Sequence, residues 1–390
     1  MKLKKVLSLI VLFTIVRGIR VSANDVDIID LMKNEIGVER TENEIMSLRS
    51  LERLLDGLGG EEGLPDFYAG RYIDEMGRLV ILFTQPNEYN YEEQQIFKEN
   101  NSYRVESVQY SLEELMRTQD EISRFVWGET FDIIIYPNVT AVTINERDNR
   151  VEVYLFDYSE EKVREFKKII MDSEMIVFRA GGITETLTGD RSIPILVDED
   201  DRVDETRSEG TNSDYYIVFD EMGMGKDEEV VGYANAIVNP GDKYDSRSDS
   251  ASVGYRVRRN SDGAVGFVTT GHAFRTRGEE VRTTGLFSDF VGNEDGSFTM
   301  GQTVIMAGGT SMGIKFGEIT NTNFNGTIGG VPAQGQIQTN IIAWGGDSGG
   351  IVTNALVDTM GIVRGGVAGT PSMIFSSASR INSYFGLSRF

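Results

Sequence analysis

Two short strings hold the residues whose types and spacing could do chemistry. One is Gly266-Phe267-Val268-Thr269-Thr270-Gly271-His272-Ala273, which contains the chain's single histidine. The other is Trp344-Gly345-Gly346-Asp347-Ser348-Gly349-Gly350. A serine hydroxyl is a poor nucleophile until a base takes its proton, and an imidazole, which titrates near neutrality, suits that role. Glycines on both sides of Ser348 let the chain turn tightly and aim backbone N–H groups at an oxygen that becomes negative during reaction. The N–H groups of Gly346 and Ser348 are the candidate donors.

Composition removes several rival chemistries. Cysteine is absent, which excludes disulfides, thiolate metal sites and a cysteine nucleophile. One histidine excludes any site built from two. Lys+Arg 38 against Asp+Glu 61 gives a net charge of −23, which argues against a nucleic-acid partner. Residues 230–390 hold 12 acids and 12 bases, so the whole −23 belongs to the first 229 residues. That C-terminal stretch also carries 28 of the 43 glycines, so two differently composed parts share one polypeptide.

The elements that must position the two strings follow from their patterns. VGYRVRR, VGFVTT, TVIMAGG, GIKFGEIT, GQIQTNIIA, GIVTNAL, MGIVRGG and SMIFSSAS are strand-sized β-branched runs between glycine and asparagine turns. No helical period appears among them until RINSYFGL. This predicts an all-β barrel or sandwich. Upstream, residues 25–60 read as helical. Thr41 and Glu44 form a capping box ahead of IMSLRSLERLLDGLGG, which Gly57, Gly59 and Gly60 terminate. From Phe67 to about Gly182 the pattern is α+β, with hairpins turning at Asp74–Gly77 and Arg147–Asn149. SLEELMRTQDEISRFV follows the first hairpin and SEEKVREFKKIIMDS the second, which suggests an internal duplication of a hairpin–helix unit. Nothing in that part converges on a catalytic constellation.

GFVTTGHA followed by GGDSGG resembles the histidine and serine motifs of chymotrypsin-like (trypsin-like) serine proteases, in the order that family uses. The match is closest to the secreted bacterial branch of streptogrisins and α-lytic protease. GQIQTNIIAWGGDSGG is similar to the strand and loop that lead into the serine there, and MAGGTSMGIKFGEI to the glycine- and threonine-rich hairpin upstream. The resemblance covers residues 230–390, and the acidic α+β part is similar in layout to that branch's pro-regions, which assist folding of the protease and then inhibit it. It implies a trypsin-like double β-barrel. The short interval from His272 to the hairpin near Gly308 implies a shortened first barrel.

The resemblance assigns Ser348 as nucleophile and His272 as base and then acid, with the Gly346 and Ser348 N–H groups as oxyanion hole. Asp295 is chosen over Asp289 to orient the imidazole. Asp347 resembles the buried carboxylate that shapes the oxyanion loop. The arginine that commonly compensates it in this branch is replaced by Ala307, and Lys315 is the nearest cation. Arg364-Gly365-Gly366 looks like the segment on which an extended substrate adds as a strand, with Trp344 beside the pocket. The pocket walls hold no aspartate, so apolar or small residues are expected before the scissile bond.

The expected organisation is a signal peptide at 1–23, a helical segment at 24–64, an α+β pro-region at 65–189, an acidic linker at 190–229 and a protease domain at 230–390. Lys2, Lys4 and Lys5 precede an apolar run from Val6 to Val16 and a Val21-Ser22-Ala23 cleavage site, which predicts secretion to the extracellular medium. Expected partners are polypeptide substrates and the chain's own pro-region, with no cofactor and no metal. The rival from another class is a catalytically inactive homologue that binds peptides or a surface partner.

Overall fold

In the computed structural model of the protein, the described residues are 28–84, 103–186, 215–219, 243–245, 250–261, 263, 265–270, 282–283, 296–309, 313–366 and 371–389. The expected signal peptide lies outside them. Among the described residues no helix is long and apolar enough to cross a membrane.

The chain opens with helices α1 (Ile28–Ile36) and α2 (Val38–Leu58), and a left-handed Gly59 closes α2 at the predicted stop. The start of α2 corrects the expected capping box. The helix begins at Val38 after Gly37, and the Thr41 hydroxyl turns back to the Gly37 carbonyl. Glu44 does not cap, because its carboxylate accepts from the backbone N–H and the hydroxyl of Thr303, 259 residues away.

The α+β part contains β1 (Tyr68–Ile73), β2 (Leu79–Thr84), β3 (Tyr103–Val108), α3 (Leu112–Trp127), β4 (Val139–Asn145), β5 (Arg150–Leu155), α4 (Glu160–Ile169) and β6 (Ile176–Ala180). Strands β1 and β2 are antiparallel and take β3 in parallel, and β4 and β5 do the same with β6. The repeated unit is therefore a hairpin with a parallel third strand. Helix α3 follows the first hairpin in sequence but packs Leu115, Ile122, Val126 and Trp127 into the core of the second, beside Val142, Val151 and Val153. A reciprocal box caps it, Ser111 accepting from Glu114 N and Glu114 from Ser111 N.

A short strand β7 (Glu185–Thr186) ends this part. Then come β8 (Tyr215–Phe219), β9 (Lys243–Asp245), β10 (Ser250–Ser252), β11 (Arg256–Arg259), β12 (Val265–Thr270) and β13 (Arg282–Thr283). Strand β8 lies inside the stretch expected as linker, and it pairs antiparallel with β12 along five residues. Its sequence, YYIVF, is aromatic and β-branched, so strand propensity outweighs the acidic surroundings.

The last stretch contains β14 (Thr303–Gly308), β15 (Gly313–Ile328), β16 (Val331–Ile342), β17 (Ile351–Asn354), β18 (Thr359–Gly366), β19 (Pro371–Ser377), α5 (Ala378–Phe385) and β20 (Leu387–Arg389). Each strand-sized run of the sequence forms a strand. Val304, Met306, Ile337, Val352, Val363, Met373 and Phe375 close the core between them.

One ten-stranded sheet joins the two parts of the chain, in the order β14-β17-β18-β19-β16-β15-β4-β5-β6, with β7 added on β18. The joint is Asn325 opposite Val142 and Gly326 opposite Ala141. A Cβ at Gly326 would lie 2.9 Å from the Thr140 carbonyl, so the close approach needs glycine. Polar side chains complete the contact. Asn321 donates to the Ile144 carbonyl, Thr322 to Glu146, and Asn323 exchanges hydrogen bonds with Gln119. Burial without partners would cost each of these groups about 1–3 kcal/mol, so the pairing fixes the register of the joint.

Candidate active site

Ser348 sits on a tight loop between β16 and β17. Trp344 N donates to Asp347 Oδ2 and Asp347 N to the Trp344 carbonyl, both at 3.0 Å, and these bonds fold the loop back on itself. Gly346 and Gly349 adopt φ of 93° and 85°, which a residue with a Cβ reaches only under strain. Gly349 N donates to the Val363 carbonyl and Val363 N to the Gly350 carbonyl, which locks the loop to β18. Space demands the glycines as well. A Cβ at Gly349 would lie 2.3 Å from the Ser252 carbonyl oxygen, and one at Gly350 2.5 Å from that of Ala307.

Ser348 and Asp347 are both fully buried. Ser348 Oγ donates to the Arg364 carbonyl at 3.3 Å. Lys315 on β15 places its ammonium 3.9 Å from Asp347 Oδ2 and donates to the Ile342 carbonyl. Burial pushes the Lys315 pKa down, against the pull of the Asp347 carboxylate. Lys315 thus stands where Ala307 offers no charge.

The two sequence strings meet at Gly349. Thr269 belongs to GFVTT, and its hydroxyl would lie 2.4 Å from a Cβ at Gly349 while donating to the Ser252 carbonyl at 2.9 Å. Strand β12, which runs toward His272, thus ends against the loop of Ser348. His272 itself, Asp289 and Asp295 lie outside the described residues. Trp344 is 49% exposed beside the loop, and Arg364 is buried on β18. Gly365 and Gly366 pair antiparallel with Thr186 and Glu185, so the chain's own strand β7 occupies the edge expected to take substrate.

Sequence reasoning missed Ser252. It is fully buried on β10, and its N–H donates to the Ser348 carbonyl at 2.7 Å. Its hydroxyl donates to the Gly346 carbonyl and accepts from Gly309 N. No local pattern in SDSASVG marks it, because the partners of its hydroxyl are 57 and 94 residues away.

Two family models match the N-terminal half. Residues 35–109 match a Pro-like N-terminal domain and residues 113–181 a Pro-like C-terminal domain. The first match begins inside the helical segment, at the end of α1. The resemblance to the streptogrisin and α-lytic protease branch therefore includes its pro-region. No curated protein matches the chain. Among solved structures, a Nocardiopsis protease is 20% identical, over 39% of this chain and 98% of its own, with a TM-score of 0.33. Thermobifida fusca protease A is 23% identical over 40% and 98%, with a TM-score of 0.32. A Cellulomonas bogoriensis chymotrypsin is 22% identical over 39% and 98%, at 0.29. Similarities of this size bear on neither activity nor specificity.

Proposed function

We propose that this chain, which carries Pro-like N- and C-terminal domains ahead of a glycine-bounded serine loop, is the zymogen of an exported serine endopeptidase with a shortened trypsin-like double barrel. The observation that carries the reading is the meeting of Thr269 and Gly349, because it brings the strand of the histidine string against the serine loop. His272 follows Thr269 by three residues.

In the proposed reaction His272 takes the Ser348 proton as Oγ attacks a peptide carbonyl carbon. The N–H groups of Gly346 and Ser348 stabilise the oxyanion. His272 then gives the proton to the leaving amine, and water hydrolyses the acyl-enzyme by the same route. Asp295, or Asp289 in its place, holds the imidazole tautomer. No step requires a cofactor. The pro-region is both folding aid and inhibitor, and its support is the sheet shared across β4 and β15.

The test is hydrolysis of denatured casein by the processed protein beside Ser348→Ala. Loss of roughly 10⁶-fold in the variant, with folding unchanged, is expected. Equal rates in the two proteins would contradict the reading.

A further inference from the structure

Ser252 spends each of its polar groups on the loop that carries Ser348 or on what surrounds that loop. Its N–H donates to the Ser348 carbonyl at 2.7 Å, and its carbonyl accepts from Thr269 Oγ1 at 2.9 Å. Its hydroxyl donates to the Gly346 carbonyl at 2.8 Å and accepts from Gly309 N at 2.7 Å. The residue is fully buried, so these bonds are made away from bulk water. One side chain thus joins β10, the serine loop and the turn after β14.

The Gly346–Asp347 peptide is gripped at both ends. Its carbonyl is taken by the Ser252 hydroxyl, and its N–H by the Trp344 carbonyl at 3.0 Å. Glycine has no Cβ to oppose rotation of the peptides beside it, and Gly346 stands at φ 93° next to a second glycine, Gly345. The backbone alone therefore does not fix the direction of the Gly346 N–H. The two loop carbonyls that turn to Ser252 belong to Gly346 and Ser348, the residues whose N–H groups are the proposed oxyanion donors. We propose that the Ser252 hydroxyl is a positioning group for the oxyanion hole, holding Gly346 so that its N–H faces the developing negative charge. The inference rests on the serine endopeptidase reading.

A hydroxyl that accepts one hydrogen bond becomes a stronger donor in another. Gly309 N thus strengthens the hold of Ser252 on the Gly346 carbonyl. The same turn packs under the loop, since a Cβ at Gly308 would lie 2.7 Å from Asp347 Oδ1. Ser252 acts at a different point from Lys315, which reaches the loop through Asp347. It makes no bond to substrate, and no proton passes through it. Donors aimed at an oxyanion stabilise the transition state more than the bound carbonyl, so the loss of the hydroxyl falls on kcat and spares KM.

The processed protein is compared with its Ser252→Ala and Ser252→Thr variants on a short peptide p-nitroanilide with an apolar last residue. Inhibition by the boronic acid of the same peptide is measured beside it, because its tetrahedral adduct with a serine mimics the transition state. Ser252→Ala is expected to lower kcat about 10- to 100-fold with KM within about twofold, and to weaken the boronic acid by a similar factor. Ser252→Thr, which keeps the hydroxyl, restores both. Where the alanine variant does not fold, Ser252→Cys fills the same space with only a weak donor and carries the same expectation. In a folded variant, an unchanged kcat, a loss confined to KM, an unchanged boronic acid affinity or a loss that Ser252→Thr does not repair overturns the inference. Each of these leaves the endopeptidase standing. A wild type that cleaves neither this peptide nor denatured casein overturns the reading beneath it.

Discussion

Lys315 Nζ stands 3.9 Å from Asp347 Oδ2, and the two charges face each other under the loop that carries Ser348. The same carboxylate oxygen accepts from Trp344 N, so the pair ties a strand of the sheet to the turn that carries Ser348. A carboxylate this buried would be costly without a compensating cation.

Replacing the cation should therefore disturb the loop. Lys315→Met is expected to lower kcat about 10- to 100-fold with little change in KM, and Lys315→Arg to recover much of it. The folded pKa of Lys315 is depressed below its ordinary 10.5, so the ammonium is lost early as pH rises. An activity that needs this cation falls on an alkaline limb below pH 10.5, and Lys315→Arg removes that limb. The group's contribution to stability has the opposite sign, rising with pH through the same window. Rates measured from pH 7 to 11 for the three proteins check both.

Glu44 links the N-terminal helices to β14. Burial pushes its carboxyl up to about 7, against the hydrogen bonds from Thr303 and the charge of Arg40, with Glu318 adding to the rise. A group raised in the docked state from 4.5 contributes docking energy that is complete below 4.5 and lost as pH rises through about 7. The window spans on the order of 3 kcal/mol. In uncleaved Ser348→Ala zymogen, hydrogen exchange in α2 should speed up between pH 5 and 8. Adding Glu44→Gln should flatten that dependence.

Gly349→Ala tests the meeting of the two strings. The added Cβ would lie 2.3 Å from the Ser252 carbonyl and 2.4 Å from the Thr269 hydroxyl, at a φ of 85°. Loss of activity above about 100-fold is expected, with a lower Tm. Gly330→Ala has a similar φ of 82° and nothing within 4 Å. It should cost only the backbone strain, about 1–2 kcal/mol, and leave activity unchanged.

Arg71 ties the Pro-like part of the chain to the segment before β14. It is buried, its guanidinium donates to Glu61, to Thr299 Oγ1 and to the Phe298 carbonyl, and its N–H donates to Glu146. Glu146 in turn accepts from Thr322. Arg71→Met strips the guanidinium bonds, keeps the backbone one to Glu146, and leaves the acids Glu61 and Glu146 without their cation, at about 3–5 kcal/mol. The yield of labelled protease on refolding the full chain should fall at least about tenfold.

The sequence made the strands around Ser348 legible, because each alternates or runs apolar between glycines, as β17 and β18 do. The second half of β15 was not legible. Its NTNFNG reads as a turn, yet Asn321, Thr322, Asn323 and Asn325 spend their polar groups on Ile144, Glu146, Gln119 and Ser123 of the pro-region. A strand whose partners lie about 200 residues away leaves no local period. Glu44 misled for the same reason, since a helix-start pattern and a docking carboxylate look alike until Thr303 is in place. Ser252 gave no signal at all.

The rate at which a fluorophosphonate labels Ser348 in the processed protein tests the central claim most directly. Wild type is compared with His272→Ala and with Asp295→Asn and Asp289→Asn. An activated serine predicts a fall of roughly 10⁴-fold or more without the histidine, and a large fall in one of the two aspartate variants. Labelling as fast in His272→Ala as in wild type would contradict the account.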